Sequence, residues 1–309
     1  MAIMPADTPI RSTRRAVDEP ALARIAARLY RAGGAPWLHK EVARRMAERL
    51  PVVRLRPQWV VDWGAQLGGG RSALVAAYPK ARIVAEEVHA TATAGPLDAG
   101  PWWSRLLPRA HDRPAAEGRH GAGSDRPQAQ LLWSNMALHG SVDPQAVMRR
   151  WQELLQVGGF LMFSTLGPGT LQGLRDLYRT QQWPVPHAPF VDMHDLGDML
   201  VEAGFADPVM DQETITLTWA DAEMALAELR GLGGNADPRR FAGLRTPRWR
   251  QRLVHALQAR AGHDSRVALQ FEVVYGHAFR APPRHLLQAQ TTLPLEDMRA
   301  MVRAGRGKP

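Results

Sequence analysis

The chain of 309 residues contains no cysteine, which excludes disulfide bonds, thiolate metal ligands and cysteine nucleophiles. It has no uninterrupted run of about 18 apolar residues, so no membrane-spanning helix is expected. Residues 1–20 lack the apolar core of a signal peptide, and we therefore expect a cytoplasmic protein. No two histidines have the spacing of metal ligands in the sequence, so no metal site is predicted.

Acidic residues are in the minority: 39 lysines and arginines stand against 30 aspartates and glutamates, a net charge of +9. Such an excess favours an anionic partner, either an acidic carrier protein or a nucleic acid. The arginines are scattered, and aromatic residues do not alternate with them as a base-stacking platform would require, so no nucleic acid is expected. An arginine-rich composition without any anionic partner would give the same charge.

The stretch 58–87, QWVVDWGAQLGGGRSALVAAYPKARIVAEE, has the order strand, glycine turn, helix, strand. Its two short apolar runs are typical of parallel strands that are buried on both faces. Such a glycine turn lets a ligand approach the backbone, and an acid after the second strand is placed to bind a ribose hydroxyl. The spacing G-x-x-x-G, from Gly64 to Gly68, favours a methyltransferase loop over the G-x-G-x-x-G of a nicotinamide site. Glycines that only pack a helix against a sheet would give the same pattern.

The chain pattern predicts one α/β domain over about 20–280, between a disordered segment 1–19 and a flexible tail 281–309. Two helices within 21–50 precede the first strand. They could cover the ligand edge of the sheet, or only pack on one of its faces. A third strand is expected within 88–128, although this stretch has the composition of an unusually long loop.

The second half of the chain alternates strands and helices and ends in two strands, which suits an antiparallel hairpin at a sheet edge. A helical insertion at about 221–263 separates these strands and could form a substrate lid. Asp143 is a predicted N-cap followed by proline at the first helical position. Asp192 and Thr246 are predicted to begin two further helices, and Gly204 to end one.

Several segments resemble class I methyltransferases that use S-adenosylmethionine (SAM), and more narrowly the malonyl-[acyl-carrier-protein] O-methyltransferases of biotin synthesis. They include LLWSNMALHG at 131–140, FEVVYGHAF at 271–279 and, most specifically, 190–219. The resemblance implies a Rossmann-like fold with a mostly parallel seven-stranded sheet. It also implies methyl transfer from SAM, as co-substrate, to the free carboxylate of malonyl on the acidic acyl-carrier protein.

The same resemblance assigns cofactor contacts to Asp62, Gly64, Gln66, Gly68, Glu87, Ser134, Asn135 and Leu138. Gln66 stands where the family has a glycine, and residues 88–128 contain no Asp-Ala or Asp-Ile pair immediately before a Leu-Pro, as the adenine site of the family does. Two interpretations therefore remain: an active methyltransferase, or a catalytically degenerate paralogue that is a binding protein without SAM. In the second, the Gln66 side chain would stand where cofactor and backbone should touch.

Three residues are candidates for contacts with the methyl acceptor. Tyr30 lies on a predicted N-terminal helix that could close over the substrate, and His139 follows the strand 131–134 at the ligand edge. His194 lies in the most specific segment, where interactions at a helix start explain it as well. The insertion adds basic residues that could bind the malonyl carboxylate or only face solvent, namely Arg239, Arg240 and Arg245. The sequence does not predict an oligomeric state.

Overall fold

The computed structural model describes residues 14–87 and 128–282. The predictions for residues 1–13, for the third strand within 88–127 and for the tail from residue 283 lie outside these ranges. Everything below concerns the described residues.

The helices of the described ranges are α1 (Glu19–Arg31), α2 (Trp37–Ala47), α3 (Ala65–Gly68), α4 (Arg71–Ala77), α5 (Pro144–Leu154), α6 (Gln172–Thr180), α7 (Met193–Glu202), α8 (Ala222–Leu232) and α9 (Pro247–Gln258). The strands are β1 (Trp59–Trp63), β2 (Arg82–Glu86), β3 (Ala129–Ser134), β4 (Leu155–Leu166), β5 (Phe205–Trp219) and β6 (Val267–Arg280). Two short 3₁₀ turns, Leu50–Val52 and Leu138–Gly140, complete the regular structure of these ranges.

The described strands form one sheet in the order β2-β1-β3-β4-β6-β5. The pairs among β1 to β4 are parallel, whereas β6 runs antiparallel to both β4 and β5. The predicted edge hairpin is confirmed, and α8 and α9 form the predicted helical insertion between its strands. The sheet has six strands in the described ranges instead of the predicted seven, and the strand expected after β2 falls in the range that is not described.

Helices cover both faces of the sheet, because successive strand residues point to opposite sides. Val60 packs in a core on the α2 side, whereas its neighbour Val61 packs in a core with α5 and α7. In the sheet, β2 and β3 lie on opposite sides of β1, so the strand order reverses its direction at β1. A reversal of this kind opens a crevice at the carboxyl ends of the strands, where ligands bind in open α/β sheets.

The predicted helix starts are confirmed by their capping bonds. The side chain of Asp143 accepts from the Ala146 N–H at 2.9 Å, and that of Asp192 accepts from the His194 N–H at 2.8 Å. The Thr246 hydroxyl accepts from the Trp249 N–H at 3.2 Å. Each bond satisfies one of the four N–H groups that a helix start leaves without an intrahelical partner.

The N-terminal arm, residues 14–18, packs on the domain, although the sequence predicts disorder up to residue 19. The Arg15 N–H donates to the Val142 carbonyl, and the Asp18 N–H donates to the Ala236 carbonyl, each at 2.8 Å. The Asp18 carboxylate caps α1 at the Ala21 N–H. These partners are distant in sequence, so a polar stretch without periodicity gives no local signal of them.

Candidate active site

A cavity of about 410 Å³ lies at the carboxyl edge of β1, β3 and β4, within the usual size range of ligand sites. Its apolar walls come from α1, α6 and α8, with side chains such as Leu29, Leu174 and Leu226. The two N-terminal helices contribute differently: α1 supplies several side chains of the cavity wall, whereas α2 supplies His39 and buries Leu38 and Val42 against the sheet. The helical insertion contributes a wall, as the lid hypothesis requires.

The glycine turn after β1 meets this cavity at Gly64. Gly64 adopts the left-handed conformation, with φ of 71°, and its N–H donates to the Glu86 carbonyl at 2.8 Å. Glycine adopts this conformation without steric cost and leaves the backbone uncovered. The turn therefore presents bare main chain to the cavity.

Glu87 is anchored by two hydrogen bonds just after β2. Its Oε1 accepts from the Gln66 N–H at 2.9 Å, and its Oε2 accepts from the Tyr30 hydroxyl at 3.0 Å. Burial, and then the charge of Glu87, raise the pKa of Tyr30 above its ordinary value. An ionised carboxylate has about four acceptor positions. Two bonds therefore leave acceptor positions on Glu87 for the hydroxyls of a ligand.

The Gln66 side chain turns away from the cavity. Its Nε2 donates to the Tyr30 carbonyl at 3.0 Å and so links the glycine turn to α1. The side chain is long enough to reach the neighbouring helix, so it does not cover the backbone of the turn in this structure. Its effect on cofactor binding stays a prediction.

Asn135 holds the loop after β3 against the glycine turn. Its Nδ2 donates to the carbonyls of Gly68 at 2.5 Å and His39 at 2.7 Å, and its Oδ1 accepts from the Ser164 hydroxyl at 2.6 Å. A Cβ on Gly68 would lie 3.1 Å from the Asn135 carbonyl oxygen. The close approach of these two segments therefore explains why position 68 is a glycine and why position 135 is an asparagine that can bond to both segments.

Of the eight predicted cofactor contacts, only Gly64 and Asn135 line the cavity itself. The carboxylate of Asp62 is buried, and its Oδ2 has no partner in the described part of the chain. Burial raises the pKa of this carboxyl to about 6, against the opposing charge of Arg71. The remaining five lie beside or behind the cavity wall: Gln66, Gly68, Glu87, Ser134 and Leu138.

Two histidines lie side by side in the cavity wall, His39 buried and His139 half-buried, and the sequence indicated only one of them. The rings of His39 and His139 are 6.2 Å apart and nearly perpendicular. Burial lowers the pKa of His39 to about 4 and that of His139 to about 3, so both are neutral at pH 7. The His39 Nδ1 lies 2.8 Å from the Leu67 carbonyl, so Nδ1 of the neutral ring carries the proton. His39 occupies an ordinary core position of a predicted helix, and no pattern distinguishes it.

Arg15 also lines the cavity, and the sequence placed it in a disordered tail. Its guanidinium donates to the backbone carbonyls of His139, Ser141 and Pro189. Its Nε is buried without a partner, and among the described residues it pairs with no carboxylate. Burial lowers the pKa of this guanidinium, which means that its positive charge is poorly solvated. The cavity wall therefore holds a positive charge that no carboxylate of the described ranges neutralises.

His194 lies away from this group. Its side chain is 81% exposed, and its Nδ1 is 2.8 Å from the Asp192 carboxylate at the start of α7. The arginines of the insertion are also engaged elsewhere: Arg239 pairs with Asp237, Arg240 pairs with Asp18, and Arg245 stacks on the rings of Phe241 and Trp249.

Within residues 14–87 and 128–282, no three histidine or carboxylate side chains form a cluster that could hold a metal ion. None of the helices found there combines the length and the apolarity needed to cross a bilayer.

Comparison with known proteins gives similar chains of similar length. The chain is 34% identical over 248 residues to the malonyl-[acyl-carrier protein] O-methyltransferase of Gallionella capsiferriformans, covering 80% of this chain and 85% of that one. It is 36% identical over 269 residues to the protein of the same name from Laribacter hongkongensis, covering 81% and 86%. With malonyl-[acyl-carrier protein] O-methyltransferase 1 of Coxiella burnetii the identity is 33% over 294 residues, covering 92% and 97%.

No protein-family model matches the chain. Among solved structures, it resembles the YcgJ protein of Bacillus subtilis with a TM-score of 0.47 and 10% identity, covering 78% of this chain and 99% of that one. The sequence identity to curated relatives, over most of both lengths, decides the family. The chain is a Rossmann-like class I methyltransferase that belongs to the malonyl-[acyl-carrier protein] O-methyltransferase family.

Proposed function

We propose that this enzyme transfers a methyl group from SAM to the free carboxylate of malonyl-acyl-carrier protein, an early step of biotin synthesis. The observation that carries the proposal is that one apolar cavity is lined both by the bare glycine turn and by the unpaired Arg15. The first suits the methyl donor, and the second suits an anionic acceptor.

The residues at the sheet edge fit SAM. Gly64 leaves main chain uncovered, Glu87 keeps acceptor positions for the ribose hydroxyls, and the Asp62 Oδ2, which has no partner among the described residues, suits a cationic amino group. When bound, SAM supplies a methyl group that its sulfonium already activates. The resemblance places the adenine-binding acid within 88–128, and residues 88–127 lie outside the described ranges.

The reaction asks the protein mainly for positioning, since a malonyl carboxylate is already a nucleophile. The Arg15 guanidinium orients that carboxylate by a charge-assisted hydrogen bond. Its present partners are carbonyl oxygens, so the substrate would bring the first counter-ion. His39 and His139 stay neutral at pH 7 and so add no competing charge. The leucine walls exclude water and accept the neutral ester product.

The first experiment measures methylation of malonyl-acyl-carrier protein with SAM labelled in its methyl group, together with calorimetric titration of S-adenosylhomocysteine. The wild type is expected to methylate the carrier-bound malonyl group. In Glu87→Gln the carboxylate loses its charge, and S-adenosylhomocysteine should bind about tenfold more weakly, because bonds to a charged acceptor are the stronger ones. A folded wild type that binds no S-adenosylhomocysteine would contradict the proposal.

Arg15→Gln and Arg15→Lys test the acceptor side. Arg15→Gln should raise KM for malonyl-acyl-carrier protein about tenfold or more, because a desolvated charge pair is lost, while Arg15→Lys should recover part of the loss. The affinity for S-adenosylhomocysteine is the internal control and should be unchanged in both. An equal loss of affinity for S-adenosylhomocysteine would show that Arg15 acts only through the fold of the arm.

A further inference from the structure

A groove of about 640 Å³ runs between α6 and α9, on a flank of α6 next to the one that lines the cavity. It is lined by four basic side chains and by no carboxylate among the described residues: Arg248, Arg252, His255 and Arg260. The first three follow one another at spacings of four and three residues, so they share one face of α9. All four are exposed.

The groove arginines differ from those next to them in how their charge is balanced. On the outer surface of the same two helices, Arg250 pairs with Glu223 and Arg179 pairs with Asp176. In the groove, the guanidinium of Arg252 lies 5.8 Å from the Trp183 ring, and Arg260 donates to the Gly173 carbonyl at 2.7 Å. No groove arginine pairs with a described carboxylate. Arginines four residues apart repel each other and destabilise an isolated helix. An anionic partner in the groove would reduce this repulsion on α9.

The groove and the cavity share α6 as their common wall. Leu174 and Tyr178 face the cavity, whereas Leu177 and Gln181 face the groove. A helix with its side chains is about 10 Å across. A protein seated in the groove would therefore hold a flexible prosthetic arm within roughly one helix width of the cavity.

We propose that the groove between α6 and α9 docks an acidic helix of the acyl-carrier protein, an inference that rests on the proposed function and adds a surface to it. Charge complementarity selects this occupant: the three arginines and the histidine that line the groove would oppose a row of carboxylates. The carrier is held by charge at the groove, while its malonyl group is held by Arg15 in the cavity.

The experiment compares two substrates that carry the same malonyl thioester, malonyl-acyl-carrier protein and malonyl-pantetheine. In Arg248→Glu and Arg252→Glu, KM for the carrier-bound substrate should rise at least about tenfold, because a charge that attracted the carrier now repels it. The kcat/KM for malonyl-pantetheine and the affinity for S-adenosylhomocysteine should stay at wild-type values. Added salt should weaken binding of the carrier to the wild type more steeply than to the variants.

Arg149→Glu is the matched control, since Arg149 is an exposed arginine of α5 without an ion pair to a described carboxylate. It makes the same change in net charge on the opposite face of the sheet. A rise of KM equal to that in the groove variants would overturn the docking site in favour of a general charge effect. An unchanged KM in both groove variants would overturn it as well.

A wild type that methylates neither substrate would count against the proposed function alone. In that case, calorimetric titration of the holo carrier protein into the wild type and the groove variants decides the docking question without turnover. Binding that the groove variants lose and Arg149→Glu keeps would support the docking site, and no binding to the wild type would overturn it.

Discussion

The two ends of the cavity are built by different physical means. At the sheet edge, buried polar groups fix the geometry: Asn135 makes three hydrogen bonds that join the glycine turn, α2 and β4. At the far end, leucines of α1, α6 and α8 form most of the wall by packing, and Arg28 of α1 adds a hydrogen bond to the Arg230 carbonyl of α8 at 2.9 Å. A donor of fixed structure suits the first arrangement, and an acceptor chosen by shape and charge suits the second. The comparison implies that a substitution at the polar end lowers the free energy of unfolding more than a substitution at the apolar end.

The largest effect is expected from Asn135→Ala at the polar end. The change removes three buried bonds and leaves two carbonyls and a hydroxyl without their partner, which should lower the free energy of unfolding by roughly 3 kcal/mol. Urea unfolding at pH 7 measures it, with Leu226→Asn as the reference from the apolar end. Equal losses in the two variants would abolish the distinction between the ends.

A smaller effect is expected from pH, and it also arises at the polar end. His39 and His139 have pKa values of about 4 and 3 in the folded protein, below the value of about 6.5 in an unfolded chain. The unfolded chain therefore binds more protons as pH falls below about 6.5, and stability is lost. The raised pKa of Asp62, about 6, opposes this trend. The net loss between pH 7 and pH 5 should be roughly 2 kcal/mol.

Urea unfolding at both pH values tests this expectation. His39→Gln removes one titrating group and should reduce the loss, because one proton fewer separates the folded and unfolded states. A stability that rises on acidification would contradict neutral histidines at this site.

The smallest effect is expected from Leu226→Asn in the apolar wall. The half-buried side chain contributes shape and apolar surface, so KM for malonyl-acyl-carrier protein should rise about fivefold, equivalent to ~1 kcal/mol. The affinity for S-adenosylhomocysteine should not change. Steady-state kinetics and calorimetry on the same preparation separate the two quantities, and a parallel loss of both would show that the two ends are not independent.

The fold was accessible to sequence reasoning where its signals are local. The strand, glycine turn, helix and strand of 58–87, the capping residues and the edge hairpin all rest on neighbouring residues, and each is found in the structure. The positions of Glu87 and Gly64 could be predicted for the same reason, since each directly follows a strand.

The residues that were missed or misjudged depend on contacts between distant segments. Arg15 has a polar neighbourhood without periodicity, and its three carbonyl partners lie more than a hundred residues away. His39 occupies a core-facing position of α2, where an apolar residue is expected, so the sequence pattern does not single it out. The direction of the Gln66 side chain depends on α1, which the sequence could not place against the turn.

The N-terminal arm also sets an order of events during synthesis. Arg15 bonds to carbonyls 124, 126 and 174 residues further along the chain, and the Asp18 carboxylate pairs with Arg240, 222 residues away. The arm is thus synthesised well before the segments that it binds. We expect a nascent chain that stops before residue 236 to leave Asp18 without the Ala236 carbonyl and without Arg240, so the arm is fully held only after the segment beyond α8 has folded.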